Sequence, residues 1–251
     1  MGKSTISPEM ISSDNIAIII FNHALNEKAI QLKQRLKGKA DVFLFDSGSQ
    51  ISNDDMQHFD ETFENIYYNG LLNETNSFLK NKGYEIGAII TSDVEIFDVE
   101  IFLQKTREAF EKDAVGVYAP SAEYSYHRHM NYNKGKGIQQ VCFTEGFCFA
   151  FRSSILDKMC PIDIELNKFG YGTDIILGYH ALNQGCISVV DYTHYVDHPY
   201  GSGYDKHAAV KAKHDWLASL PKPQQRFYKI ATKSIFKNAF GVFVLNLIFR
   251  K

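Results

Sequence analysis

The chain has 251 residues, of which 45% are hydrophobic and 22% charged. That length suits one large globular unit or one and a half average ones, and no stretch approaches the ~20 apolar residues that cross a bilayer. The net charge of −2 hides an asymmetry: residues 216–251 hold seven basic and no acidic side chains, against 20 basic and 29 acidic before them. An acidic body with a basic tail calls for a partner of negative charge.

The elements alternate from the start. Ile16–Phe21 is a continuous apolar run suited to a strand buried on both faces. Leu25–Leu36 reads as a helix with Ala29, Leu32 and Leu36 on one stripe, stopped by Gly38. Val42–Phe45 is the second strand and runs into the turn Asp46-Ser47-Gly48-Ser49, and Phe63–Tyr68 is expected as a short third strand. Leu71–Lys82 reads as a helix closed by Gly83, and Ile86–Thr91 as the fourth strand. A helix over Val99–Glu111 and a strand over Val115–Tyr118 follow. Strands and helices at this pitch imply parallel βαβ units in a doubly wound sheet. Glu123–Gly137 has no period and reads as a long loop, a kind that is usually functional or mobile. Phe143–Phe151 resumes strand character, and Thr173–Gln184 is a helix stopped by Gly185.

Met1–Asn15 is polar and has no signal-peptide core. Cys142, Cys148, Cys160 and Cys186 match neither a zinc ribbon nor a disulfide framework, so reduced thiols and a cytoplasmic protein are expected. Cys142 and Cys148, an even number of residues apart, are expected to pack on one face of a strand. Gly2-Lys3-Ser4-Thr5 copies only the end of a phosphate-binding loop, with no strand or glycine before it. His127-Arg128-His129 reads as exposed loop residues, although the trio could also hold a metal or an anion.

The chemistry begins where apolar runs end in polar ones. Ala88–Ile90 stops at Thr91-Ser92-Asp93-Val94-Glu95, and in an open α/β sheet ligands bind beyond the carboxyl ends of the strands. A carboxylate at that edge can hold a divalent metal over a phosphorylated ligand, since hard cations prefer oxygen. Asp46 ends the second strand, and its carboxylate could accept a base N–H; the same turn also fits a plain Asx motif. Thr173-Asp174 opens a helix, where either residue can simply cap free N–H groups.

Taken in order, these segments resemble GT-A-type glycosyltransferases, particularly the inverting family 2-like group, over about residues 16–204. Phe45-Asp46-Ser47-Gly48-Ser49 resembles the D-D-G-S turn whose acid bonds the nucleotide base. Asn76 matches an Asn that contributes to the nucleotide wall, with Asn73 as a rival. Thr91-Ser92-Asp93 looks like the D-x-D metal motif with Thr in its first position. Gly170–Leu177 resembles the segment whose acidic pair opens an acceptor-side helix, with Thr173 where Glu is usual and Asp174 keeping the acid that acts as general base. Val196–Tyr204 resembles the late His segment, with His198 fitting better than His194 or His207, and a glycine loop (Gly201, Gly203) that could close over the donor. Gly146–Arg152 resembles the small-residue strand before the acceptor region.

The resemblance implies an α/β, Rossmann-like GT-A fold with a mostly parallel central sheet flanked by helices and a C-terminal helical tail. Residues 1–215 would form the catalytic domain, with a nucleotide-sugar half to about 120 and an acceptor half after it, and 216–251 the tail. Asp174 is the implied base. Asp46, Ser47, Asn76 and Asp93 are the implied donor-site residues. Asp93 and His198 would hold Mn²⁺ or Mg²⁺, with Glu95 a further candidate, and Glu145, Tyr171 and Thr173 would line the acceptor side. The implied partners are a nucleotide-diphosphate sugar and a glycan or lipid-linked acceptor of surface polysaccharide assembly. A nucleotidyltransferase shares such a sheet, but Phe21-Asn22-His23-Ala24 offers no phosphate loop. A degenerate nucleotide-sugar-binding module fits the two threonines, Thr91 and Thr173.

In the tail, Lys229, Lys233 and Lys237 recur at i,i+4 beside an apolar stripe of Phe236, Phe240, Phe243 and Leu247. A basic amphipathic segment of this kind suits the cytoplasmic face of an anionic membrane. The alternatives are packing on the catalytic domain or on a second copy of the chain. The apolar stripe exceeds what nucleic-acid binding needs, so none is expected.

Overall fold

The computed structural model describes residues 16–199, 204–233 and 238–249. Gly2–Thr5, the glycines Gly201 and Gly203, and the tail residues Phe236, Lys237, Arg250 and Lys251 lie outside them.

A single mixed sheet of nine strands organises the described residues. The strands are β1 (Ile16–Asn22), β2 (Asp41–Ser47), β3 (Glu61–Phe63), β4 (Ile86–Thr91), β5 (Glu95–Ile96), β6 (Val115–Ala122), β7 (Ile138–Val141), β8 (Cys148–Arg152) and β9 (Ile187–Asp197). Their order is β3-β2-β1-β4-β8-β6-β9-β5, with β7 beside β9. β3, β2, β1 and β4 run parallel, β8 is antiparallel to both its neighbours, and β6 and β9 are again parallel to each other. The carboxyl ends of β1, β2, β4, β6 and β9, and the amino end of β8, therefore share one edge.

Every residue of β1 is buried, which its unbroken apolar run requires. The helices are α1 (Asn26–Leu36), α2 (Tyr67–Lys82), α3 (Val99–Phe110), α4 (Ser153–Asp157), α5 (Thr173–Asn183), α6 (Lys206–Ser219), α7 (Lys222–Lys233) and α8 (Asn238–Phe249). Helices cover both faces. Phe102 and Leu103 of α3 pack over Ile16, Ile18 and Ala88, while Leu79 of α2 packs against Gly87 on the opposite face.

Several boundaries differ from the reading of the sequence. Residues 67 and 68 belong to α2, not to the third strand, because Tyr67 turns the chain into a helix at a φ of 56°. β8 begins only at Cys148, and Cys142 follows β7, so the two cysteines lie on different segments; both are buried. β9, the long strand that pairs with β5, β6 and β7, was not foreseen. His129 is buried rather than exposed: its Nε2 meets the Phe143 carbonyl oxygen at 2.9 Å, and burial pushes its pKa down to about 4.

The segment after Leu220 forms two helices docked on α5. Phe227, Ala231 and Leu245 enter a second apolar cluster with Phe143, Ile175 and Leu182. Trp216 and Leu217, by contrast, join the main core.

Candidate active site

Register alone gathers the polar strand ends. Asn22 lies opposite Asp46, Phe21 opposite Thr91, and Glu95 opposite Asp197. The Ser92 amide donates to the Phe21 carbonyl at 2.9 Å, and the Thr91 amide to the Phe147 carbonyl at 2.8 Å. The turn after β4 and the approach to β8 are thus stitched to the same edge.

Asp46 is almost fully buried and accepts from Asn22 Nδ2 at 2.7 Å, from the Ser49 amide at 2.8 Å and from the Ser49 hydroxyl. Ser47 Oγ accepts the Tyr67 amide at 2.9 Å and so fastens the start of α2 to the end of β2. Gly48 has a φ of +76°, and a Cβ there would lie 2.7 Å from Asn65 Cβ, so only glycine fits the turn. Ala24, at a φ of 58°, and Tyr67 are the positive-φ non-glycine residues among the described ones. Both flank this edge, and held strain of this kind clusters at ligand sites.

Asp93 and His198 face one another, with Oδ2 and Nε2 3.4 Å apart. Thr91 Oγ1 donates to Asp93 Oδ1 at 2.6 Å, so the threonine in the first motif position positions the acid behind it. Burial pushes the Asp93 carboxyl up, but the hydrogen bonds from His198 and Thr91 and the His198 charge together hold it below the usual carboxylate range. The His198 ring lies flat on Phe147, with centroids 4.3 Å apart and planes at 9°. Glu95 is exposed on β5, and among the described residues no group of three or more His, Cys, Asp and Glu is placed to hold a metal. A carboxylate–imidazole pair fits a hard divalent cation that draws the rest of its shell from phosphate and water, not one caged by protein alone.

Asp174 sits in the first turn of α5 and is joined to the edge through α2. Tyr68 OH donates to the Gly146 carbonyl at 2.5 Å, and Thr173 Oγ1 donates to Asn69 Oδ1 at 3.1 Å. Gly170, at a φ of +86°, lets the chain pass against Tyr68, where a Cβ would come within 2.4 Å of the ring. Burial, then the charge of Glu145, pushes the Asp174 pKa up to about 7, although amide hydrogen bonds and Lys213 pull the other way. Glu145 is itself raised by burial, against a hydrogen bond from Ser125 and the charge of His198. Asp93, His198, Glu145 and Asp174 therefore form a chain of electrostatic neighbours. Tyr171 contributes its carbonyl oxygen, which accepts from Asn167 Nδ2 at 3.1 Å.

Asn76 does not join them. Seven residues beyond Asn69, it lies roughly 10 Å farther from the start of α2, by ~1.5 Å per residue. Its Nδ2 faces Asp157 of α4 at 3.5 Å. Asn73, the rival, bonds the backbone of Ile162. Asn69 is the asparagine at the site end, buried and bonded to Thr173 and to the Asn167 carbonyl. Asn22, Tyr68, Asn69 and Phe147 were not foreseen as site residues. Asn22 carried a usable signal, a polar residue ending an apolar strand as Asp46 does.

No family model and no curated protein matches the chain. Solved structures do match it. The mannosyltransferase PcManGT from Pyrobaculum calidifontis, in complex with GDP-Man and Mn²⁺, aligns at a TM-score of 0.58 and 13% identity, over 97% of this chain and 78% of that one. GalNAc-T7 with UDP, GalNAc and Mn²⁺ aligns at 0.57 and 12% identity, over 88% of this chain and 51% of that one. Glucosyl-3-phosphoglycerate synthase from Mycobacterium tuberculosis, with Mn²⁺, UDP and phosphoglyceric acid, aligns at 0.56 and 13%, over 83% and 80%. The helix-flanked sheet of this chain, with its C-terminal helical region, is the GT-A glycosyltransferase fold.

Proposed function

We propose that the chain is a glycosyltransferase that moves a sugar from a nucleotide-diphosphate sugar to a hydroxyl of a glycan or lipid-linked acceptor, with inversion, in cell-surface polysaccharide biosynthesis. One observation carries the reading. At the ligand edge of a GT-A sheet, an ionised Asp93 paired with His198 is linked through Glu145 to an Asp174 whose pKa is about 7.

Each residue then has a task. Asp46, held by Asn22 and Ser49, and Ser47 at the end of β2 border the nucleoside. Asp93 and His198 would hold Mn²⁺ or Mg²⁺, whose charge, when bound, stabilises a departing diphosphate. The fold neighbours named above were solved with Mn²⁺, which supports this assignment. A base works best with a pKa near the operating pH, and Asp174 meets that condition. It takes the proton of the acceptor hydroxyl as that oxygen bonds the anomeric carbon. The bond from that carbon to the diphosphate breaks, and its electron pair leaves with the diphosphate. Glu145 keeps Asp174 basic through its negative charge, and Thr173 fixes the turn through Asn69.

A thermal-shift series with nucleoside diphosphates, with and without Mn²⁺, tests the reading. Ligand at a hundredfold excess over its Kd adds about 2.7 kcal/mol of stability. At least one nucleoside diphosphate is expected to raise the melting temperature, and more so with Mn²⁺. No shift with any of them removes the nucleotide-sugar reading. A metal-independent shift without turnover favours the degenerate binding module, which the threonines at 91 and 173 would suit.

A further inference from the structure

The acid-free end of the chain presents an unusual outward face. On α7, Phe227 and Ala231 are buried, whereas Lys222, Arg226, Lys229 and Lys233 are all exposed. At ~100° per residue these four fall within an arc of about 60°, on the side turned away from Phe227. On α8, Leu245 is buried, while Phe240, Phe243 and Leu247 are 65%, 66% and 76% exposed. These three also span about 60°, opposite Leu245. The helices adjoin: Phe227 and Phe249 meet at 5.6 Å between ring centroids, and both rings pack on Tyr179 of α5. The two helices therefore adjoin through their buried sides, and each turns a stripe, basic on α7 and apolar on α8, away from the cluster that holds it.

We propose that this face docks on the surface of an anionic lipid bilayer. Phe240, Phe243 and Leu247 would enter the boundary between headgroups and acyl chains, and the four basic side chains would meet the anionic headgroups. α8 has twelve residues, about 18 Å, so it can lie in the interface but cannot span it. No described helix is long and apolar enough to cross a membrane. A nucleic acid would use the lysines and leave three exposed apolar side chains without a role. A second copy of the chain would cover those side chains but leave the basic stripe without an anionic partner. An anionic bilayer offers a partner for each stripe, headgroups for the basic one and the acyl boundary for the apolar one. This inference stands apart from the transferase reading, because binding is measured without turnover.

The test is co-sedimentation of the full chain with vesicles of phosphatidylcholine and phosphatidylglycerol, and with phosphatidylcholine alone. Binding to the mixed vesicles is expected, and at least ~10-fold weaker binding to the neutral ones. Lys229→Glu combined with Lys233→Glu should weaken binding to the mixed vesicles by roughly 10-fold or more. Phe240→Ser combined with Phe243→Ser should do the same through lost insertion. All four side chains are exposed, so both variants should keep the circular dichroism spectrum of the parent. Absence of binding to mixed vesicles overturns the proposal, as does a serine variant that binds unchanged. So does a dimer, seen by sedimentation velocity, that Phe243→Ser converts to monomer while vesicle binding is absent; that result assigns the face to a second copy.

Discussion

Asp174→Asn is expected to lower turnover by about 10²–10⁴ while leaving nucleotide binding in place. Asparagine keeps the shape of the side chain in the first turn of α5 but cannot take a proton. In the parent protein the rate should rise with pH up to about 7 and level off above it, because only the ionised carboxylate is a base. The groups facing Asp174 set that value: burial and Glu145 raise it, amide hydrogen bonds and Lys213 lower it, and the half-buried Tyr68 and Tyr228 stay protonated beside it. The same shift has a sign for stability. A carboxyl whose folded pKa is raised contributes most below its ordinary value of 3.8, and loses that contribution as pH climbs through about 7. Asp174→Asn removes the cost of a half-buried charge beside Glu145, so at pH 8 the variant should be at least as stable as the parent, as chemical denaturation would show. Full turnover in Asp174→Asn would strike Asp174 from the mechanism.

Asp93→Ala should abolish the part of nucleotide binding that depends on Mn²⁺. The substitution removes the oxygen donor and leaves Thr91 and His198 without their partner. If affinity falls ~100-fold, the stabilisation of about 2.7 kcal/mol at a hundredfold ligand excess drops to about 0.4 kcal/mol. The melting temperature with nucleoside diphosphate and Mn²⁺ should then approach that of the free protein. Glu95→Ala should change it little, since Glu95 is exposed on β5. The reverse ranking of the two variants would move the metal from His198 to the β5 side.

The features legible in the sequence share a physical cause. β1 and β4 are buried on both faces and show as unbroken apolar runs, and the acid-bearing turn of Asp93 follows β4 directly. Asp46 and Asp93 end apolar strands, so parallel register brings them to one edge, whereas His198 follows β9 and was picked out by resemblance alone. β9 hid because its outer half mixes exposed Thr193 with half-buried His194 and Tyr195, giving neither an apolar run nor strict alternation. The structure seats Asn76 against Asp157 of α4, away from the start of α2. Reading α2 from residue 71 instead of 67 left Tyr68 in a strand and Asn69 outside the helix, and so drew attention to an asparagine two turns farther along. Glu145 was placed near the sugar by resemblance alone; its effect on Asp174 exists only in three dimensions.

The arrangement also gives a reason for the two threonines. Thr91 holds Asp93 by hydrogen bond, and Thr173 ties α5 to Asn69 of α2. Each stands where the family pattern has an acid, and each orients a carboxylate or the helix that carries one.

The most direct measurement is the anomalous scattering of manganese in crystals grown with a nucleoside diphosphate. One strong peak is expected within bonding distance of Asp93 and His198, with diphosphate oxygens completing the shell and the base beside Asp46. A peak away from that pair, or nucleotide bound on another part of the sheet, would contradict it.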